Sequence, residues 1–548
     1  MLVWLLDLDI GGRRLHLSSN PVHYSGRFYS GTLDAVSFTD ALDGVGDTPS
    51  DRTASLNAVL DTSLGTLLAQ GHDFTTGRAT LTLWHTDEPE HRALTVLRDA
   101  FVSQPEVGDE FEPVSFNITQ RILDDTSSLL NDLAKVGPDT VAPNSTPGVG
   151  NDRYYPMLLG RPSGRIDAAR PGSCAFGLGL GSPISDNNID ASGTFLTSIT
   201  GGPGGLAQRL VVCGHHPGTS SPVAVYYAEG GGLVRMGSYD LYEDEDELGN
   251  TVYVAWNGSG VDPDREYFIK WAEDTQGVQN AGMSGYVNTT SRLLVHLASL
   301  SSLPYDVPSI VANTADLPGL VGWSVDEQVS ASELLDEVIS VLPLSPYNGP
   351  NGITLVRIDA DRPVNRCTPL MEGLNAWREG PLRLTRMEDE AAGSISVRYG
   401  PIKGTDAYEG IVNVSQRPAQ GLGQVANPWS ITAKDNGSVN EIDLPWTYDE
   451  GTATFVATWL SRQAAQSPRI VSVRVGQELA RSLTPGSPVA FTDSSVGLSE
   501  AVGIVTSREM TDLDFWTLEL SFYPSTASLA TETPSGASSV GTPVASGT

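Results

Sequence analysis

His85-Thr86-Asp87-Glu88-Pro89-Glu90-His91 is the one short stretch of the chain that gathers metal-ligand residue types. Imidazole and carboxylate could serve a borderline cation, but Pro89 fixes a loop and no further His/Cys set completes a tetrahedral site. It reads as a solvated loop tip. His215 and His216 are adjacent, so on a strand they point to opposite faces and do not share one ion. The run Glu243-Asp244-Glu245-Asp246-Glu247 could attract calcium, yet it lacks the sixth-position Gly and terminal Glu of an EF-hand loop and reads as a charged hairpin tip. Gly177-Leu178-Gly179-Leu180-Gly181 misses the Gly-x-Gly-x-x-Gly spacing and runs into Ser182-Pro183 instead of a helix, so it is no dinucleotide loop. Nucleophile elbow, phosphate loop and zinc-protease helix motifs are absent from the sequence. Paired carboxylates abound, but none is singled out for glycoside hydrolysis. The expectation is a protein that is not an enzyme, with no catalytic, cofactor-binding or metal residue to assign.

The elements that would position any site belong to a long, acidic, turn-rich chain. At 548 residues it exceeds what one hydrophobic core supports, so three to four domains are expected. Its 57 Gly, 35 Pro and 39% hydrophobic residues suit a folded, mainly β protein. A net charge of -33 disfavours a broad phosphate-binding surface, which needs clustered Lys and Arg. Cys174, Cys213 and Cys367 are odd in number and widely spaced, and read as small buried hydrophobes made in a reducing cytoplasm. Met1 to Ile10 carries Asp7 and Asp9 and no basic stretch, which makes it a strand and not a signal peptide. No run of eighteen apolar residues exists, so no membrane insertion is expected.

In chain order, Leu2 to Ile10 and Arg13 to Leu17 flank Gly11-Gly12, a two-residue hairpin turn. Half-buried strands follow from the alternation of Ala54, Leu56 and Ala58, of Ala79, Leu81 and Leu83, and of Val114, Phe116 and Ile118, with a helix near Arg92 to Val102. This first β-barrel-like domain ends by about residue 125. A Gly-rich β module spans 126–287, with a linker from Gly137 to Asn151 and strands at Tyr154 to Gly160, Leu210 to Cys213, Val223 to Tyr227, Leu233 to Met236, Tyr253 to Trp256 and Glu266 to Trp271. An α+β module covers 288–393. Leu293, Leu294, Leu297 and Leu300 share one helical face, a Pro-rich connection follows, and Ser330-Ala331-Ser332-Glu333 is a capping box for a second helix.

Residues 394–523 form the second barrel-like domain. Asp449 caps a helix whose Phe455, Val456, Trp459 and Leu460 make a stripe expected to pack on the strands that follow. Those strands show period-two alternation at Val471, Val473 and Val475, around Val489 and Phe491, from Ala501 to Ser507, and at Trp516, Leu518, Leu520 and Phe522. Leu483-Thr484-Pro485-Gly486 is a tight turn between the first two. Residues 524–548 are a low-complexity Ser/Thr/Ala/Gly/Pro tail.

Several of these stretches resemble one family, in one order along the chain. Tyr24-Ser25-Gly26-Arg27-Phe28-Tyr29 resembles an early turn of phage tail-tip and baseplate hub proteins, the group that includes contractile-baseplate hubs, lambda-type tail-tip proteins and gene-transfer-agent hubs. Tyr155 to Pro162, Leu210 to His216 with Val225-Tyr226, Leu384 to Glu390 running to Val397-Arg398-Tyr399, and the helix, Leu-x-Pro-Gly turn and strands at 449–522 resemble later pieces. The resemblance implies a virion structural protein made in the host cytoplasm and placed at the distal tail tip. It implies a homotrimer whose two barrels per chain adapt a sixfold tube to a threefold tip. Implied partners are the distal tail ring or tube protein, the tape-measure protein and a central spike or fibre. DNA would pass transiently through a channel kept negative by the chain's charge. A particle-borne glycan-binding adhesin, with Trp256 and Trp271 in the middle module meeting host-surface glycan, and a carbohydrate-active enzyme are the alternatives.

Overall fold

The computed structural model describes residues 1–43, 49–60, 62–107, 113–122, 124–129, 276–325, 328–358, 364–384, 394–401, 408–415, 439–465, 469–510 and 514–522, and between 130 and 275 little more than the strands. The chain is a multi-domain, mainly β protein with a smaller α+β part.

Gly11 and Gly12 take φ of 57° and 80°, which lets β1 (Leu2–Ile10) turn directly into β2 (Arg13–Ser18). β3 (Val22–Tyr24) and β4 (Arg27–Tyr29) form a separate small hairpin. β5 (Leu33–Ala41), β6 (Arg52–Ala58), β7 (Arg78–His85), β8 (Leu94–Val102) and β9 (Val114–Gln120) complete the first set. Alternation decides their faces: Ala54, Leu56 and Ala58 are buried while Thr53 and Ser55 face solvent. The helix expected near Arg92 to Val102 is instead strand β8. Register shifts where it meets β7, and the left-handed φ of 52° at Asp99, break strict alternation and imitate a helical period. A helix missed by that reading, Thr62–Ala69, buries Leu64 and Leu67 on the core.

The second set is β10 (Thr368–Met371), β11 (Ala376–Arg378), β12 (Arg383–Leu384), β13 (Arg469–Gly476), β14 (Pro488–Asp493), β15 (Leu498–Met510) and β16 (Phe515–Phe522). Both sets belong to one 14-stranded sheet, in the order β2-β1-β7-β8-β9-β6-β5-β15-β16-β13-β11, with β14 also on β15, β10 on β14 and β12 on β13. The join is β15. Its beginning pairs with β14, and its end pairs antiparallel with β5 from Ser507 opposite Ala41 to Met510 opposite Phe38. A single hydrophobic core runs beneath the sheet from Leu2 to Phe522 and includes Phe38, Phe116, Phe491 and Trp516.

A second core gathers helices Thr290–Leu300, Val307–Thr314 and Ala331–Ile339, the hairpin Leu344–Gly349 with Gly352–Arg357, and the three-stranded sheet Ser394–Pro401, Tyr408–Ser415 and Val439–Leu444. The capping box forms: Ser330 Oγ accepts from Glu333 N and the Glu333 carboxylate accepts from Ser330 N. The connection expected to be merely Pro-rich holds the helix Val307–Thr314, where Asp306 caps the first turn and Pro308 occupies a position whose N–H is not needed. Asp449 caps helix Glu450–Ala465 by accepting from Thr452 N at 2.7 Å. That helix does not pack mainly on the strands that follow it. Ala453, Val456 and Ala457 enter the second core, and Trp459 reaches the large sheet through Ile358 and Ile504.

Two four-stranded sheets lie wholly within the glycine-rich module, and a third joins its strands Gly218–Thr219, Gly277–Val278 and Met157–Gly160 to Gly322–Val325. Of the first two, one joins Cys174–Gly177, Tyr267–Trp271, Pro222–Glu229 and Gly232–Arg235; the other joins Ser182–Pro183, Arg209–His215, Thr251–Asn257 and Asp240–Glu245. Residues 523–548 lie outside the described set.

Candidate functional site

The most densely built polar site lies where β5, β6, β15 and the hairpin Leu344–Gly349 meet. On β5 the inward positions Val36 and Phe38 are followed by Asp40, a carboxylate at a core position and fully buried. Three groups converge on it. Arg52 Nη2 donates to Asp40 Oδ1 at 2.8 Å, Arg508 Nε donates to Oδ2 at 3.0 Å, and the Tyr347 hydroxyl donates to Oδ2 at 2.9 Å. Arg52 also donates from Nη1 to Val96 O at 2.8 Å. The guanidiniums lie over aromatic rings, Arg52 over Phe38 and Tyr347 and Arg508 over Trp516, so their planes are covered as well as their edges. Burial first, and then the Asp40 charge, raises the Tyr347 phenol above its ordinary value, which keeps it a donor. Two cations against one anion leave Arg52 Nε and Arg508 Nη1 without a hydrogen bond. The site therefore depends on Asp40.

Other contacts tie the two strand sets of the large sheet to the second core. Gln120 Nε2 donates to Asn348 Oδ1 and Gly349 O at 3.3 and 3.1 Å, and Asp43 N donates to Pro346 O at 3.2 Å. Gly486, at φ 87°, brings the β13–β14 connection so close to Val356 that a β-carbon there would collide with it. Asp125, at the exit from the first sheet, accepts from Ser127 N, Ser302 N, Ser302 Oγ, Ser301 Oγ and Ser332 N. Burial opposes its ionisation, but these hydrogen bonds prevail and hold the carboxyl far below its usual range.

The solvent face of the shared sheet has a distinct chemistry. Thr119, Thr53, Thr39, Glu509, Thr517 and Arg474 follow one another across β9, β6, β5, β15, β16 and β13. Many of its hydroxyls and amides satisfy each other: Thr53 and Thr119 share a hydrogen bond of 3.0 Å, and Ser55 Oγ donates to Asn117 Oδ1 at 2.8 Å. None of the fourteen strands contains lysine.

The sequence candidates take structural places. The 85–91 loop is a docking point: the N-terminal amine reaches Thr86 Oγ1 at 3.2 Å, Ser25 N donates to Glu90 Oε1 at 2.8 Å, and Arg481 Nη1 donates to Glu88 Oε2 at 3.1 Å. The last of these joins the helix Gln477–Ser482 to the first sheet. Glu243 to Glu245 end strand Asp240–Glu245, which pairs antiparallel with Thr251–Asn257 up to Glu245 opposite Thr251, so they stand at the turn end of a hairpin; Asp246 and Glu247 lie outside the described residues. His215 ends a strand and His216 lies outside the described residues. Trp256 and Trp271 are on strands, and their side chains lie outside the described set, as do residues 178–181. Cys367 is buried and is not in a disulfide. Among the described residues no group of three or more His, Cys, Asp or Glu side chains is placed to hold a metal, and no helix is long and apolar enough to cross a membrane. The Asp40 cluster escaped the sequence because its members are up to 468 residues apart. The one signal was an Asp at an inward position of an alternating strand.

No protein-family model and no curated protein matches the sequence. Among solved structures, a tail protein from Neisseria meningitidis MC58 is similar over 94% of this chain and 96% of its own, at 9% identity and a TM-score of 0.38. The 43 kDa tail protein of prophage MuSo2 from Shewanella oneidensis is similar over 95% of this chain and 98% of its own, at 8% identity and a TM-score of 0.36. A chain of the virion of a native gene transfer agent particle is similar over 67% of this chain and 85% of its own, at 11% identity and a TM-score of 0.35.

Proposed function

We propose that this chain is a structural hub of a phage-type tail tip and not an enzyme, acting as a homotrimer that adapts a sixfold tube to a threefold end. The observation that carries this reading is the continuity of the sheet. The first and last β sets of one chain join through β5 and β15 and share one core, so each chain presents two sheet halves side by side. Three such chains supply six halves. The ordered resemblances of Tyr24 to Tyr29, Tyr155 to Pro162 and the 449–522 unit support the same reading. Its neighbours would be the distal tail ring or tube protein, the tape-measure protein and a spike or fibre, and its place the distal end of the virion.

On this reading the solvent face of β9, β6, β5, β15, β16 and β13 lines the channel. DNA would slide past it because hydroxyls and amides are already hydrogen-bonded to one another and cations are scarce, with Glu509 and Glu519 adding local repulsion. The -33 net charge of the whole chain is then a smaller contributor than the local chemistry of this face. Mass and symmetry test the hub: sedimentation and electron microscopy of the full chain should give a trimeric ring with a central pore, and a monomer without a pore would overturn it.

A further inference from the structure

The two strand sets of the large sheet repeat one pattern. In the first, β6 is followed by the helix Thr62–Ala69, β7, a 3-10 turn at Glu90–Arg92, β8 and β9, and the sheet order is β5-β6-β9-β8-β7. In the second, β13 is followed by the helix Gln477–Ser482, β14, a 3-10 turn at Ser494–Val496, β15 and β16, and β11 and β12 lead the order β13-β16-β15-β14. The registers correspond as well. Thr53 opposite Thr119 matches Ile470 opposite Ser521, Val102 opposite Ile118 matches Val505 opposite Leu520, and Glu106 opposite Ser115 matches Glu509 opposite Thr517. Arg383, opposite Ile470, takes the place that Thr39 takes beside Thr53. The joint within the chain belongs to this pattern: β14 leaves β15 at Ile504, β15 runs on along β16, and β5 fills the open edge from Ser507 to Met510.

The matching edge in the first set is open. β7 leaves β8 at Phe101, and the chain runs on along β9, where Ser103 N donates to Asn117 O at 2.8 Å and Glu106 and Ser115 exchange backbone hydrogen bonds at 2.8 and 3.0 Å. No strand among the described residues pairs with the other edge of this overhang. The counterpart of β5 is open too. β11 is covered by the turn before it, Gly373 N donating to Ala376 O and Arg378 N to Glu372 Oε2, but Leu382 to Leu384 have β13 on one side and no backbone partner on the other among the described residues. Exposure follows pairing: Met510 is 1% exposed against β5, whereas its counterpart Val107 is 57% exposed. We propose that a second copy of this chain closes the gap, the overhang 103–107 of one copy pairing antiparallel with Leu382–Leu384 of the next. The side chains agree with that register. It sets Glu106 opposite Arg383 and Val107 beside Leu382, and Glu106 and Arg383 are exposed, opposite in charge and without side-chain partners among the described residues. Both open edges are thereby covered, and the contact is head-to-tail, the kind that closes into a ring. The inference rests on the hub reading and specifies where its copies meet.

Cross-linking of the full-length protein tests the register. Directly opposed residues of antiparallel strands have Cα atoms about 4.5–5.5 Å apart, within disulfide reach. Glu106→Cys combined with Arg383→Cys, oxidised with glutathione disulfide, should therefore give covalent trimers on a non-reducing denaturing gel, and either change alone should give none. Charge reversal tests the side chains by sedimentation equilibrium. Glu106→Arg and Arg383→Glu should each raise the concentration for half-assembly at least about tenfold, and the two together should bring it back to within about threefold of the parent. Both positions are exposed, so the thermal unfolding of each monomer should match the parent's. A parent that sediments as a trimer while the cysteine pair stays unlinked, or while neither reversal shifts its assembly, overturns this joint and leaves the hub standing; a parent that stays monomeric overturns both.

Discussion

Replacing Asp40 by Asn should uncouple the two halves of the large sheet from each other and from the second core. The substitution keeps the volume but removes the charge facing two guanidiniums and a phenol, at 2.8, 3.0 and 2.9 Å. Arg52 and Arg508 are 6% and 2% exposed, so water cannot replace the lost partner. Breaking a buried ion pair from one side costs about 3–5 kcal/mol, and here two cations lose the same anion, which points to the upper end. Arg508→Met gives the internal comparison. It leaves one Asp with one Arg and the Tyr347 hydroxyl, and forfeits a charge-assisted hydrogen bond and the contact with Trp516, a loss of about 1–3 kcal/mol. Urea unfolding of the full chain reads both. With a slope near 3 kcal/mol/M, a loss of about 5 kcal/mol lowers the midpoint by ~1.7 M in Asp40→Asn, and a separate early transition should appear as β15 leaves β5. If Arg508→Met proved more damaging than Asp40→Asn, or both stayed within about 0.5 kcal/mol of the parent, the carboxylate would not be the centre of the junction.

Three further outcomes are expected. His296 is buried, accepts from Ala281 N at 3.0 Å and has its pKa pushed down to about 4 by burial. The unfolded chain takes up that proton first, so stability should fall by up to ~3 kcal/mol as pH drops from about 6.5 to about 4, and His296→Leu should flatten this slope in a pH series of thermal unfolding. Asp125 is held below the usual carboxylate range by its hydrogen bonds, so its stabilisation is complete above about pH 4 and is lost as pH falls further. Asp125→Asn should therefore be destabilised at neutral pH and converge on the parent in acid. Gly486→Ala combines a left-handed backbone with a collision against Val356, and should cost more than about 1 kcal/mol in denaturant unfolding; Ala at Gly497, also left-handed but open, should cost less.

Local patterns alone determined much of this protein. Period-two alternation placed the strands at Val114 to Ile118, Val471 to Val475 and Trp516 to Phe522, and Ser330 with Glu333 announced a helix start, because each signal is satisfied within a few residues. The same kind of reading took Arg92 to Val102 for a helix, because a bulged strand loses its alternation. It also sent the stripe of helix Glu450–Ala465 to the wrong neighbour, because an apolar stripe says that it must be buried and not against what. Only the tertiary structure decided that β15 runs on past its pairing with β14 to pair with β5, and that Asp40 is where Arg52, Arg508 and Tyr347 meet. Such contacts are specified by the sum of weak preferences over hundreds of intervening residues, so no window of sequence contains them.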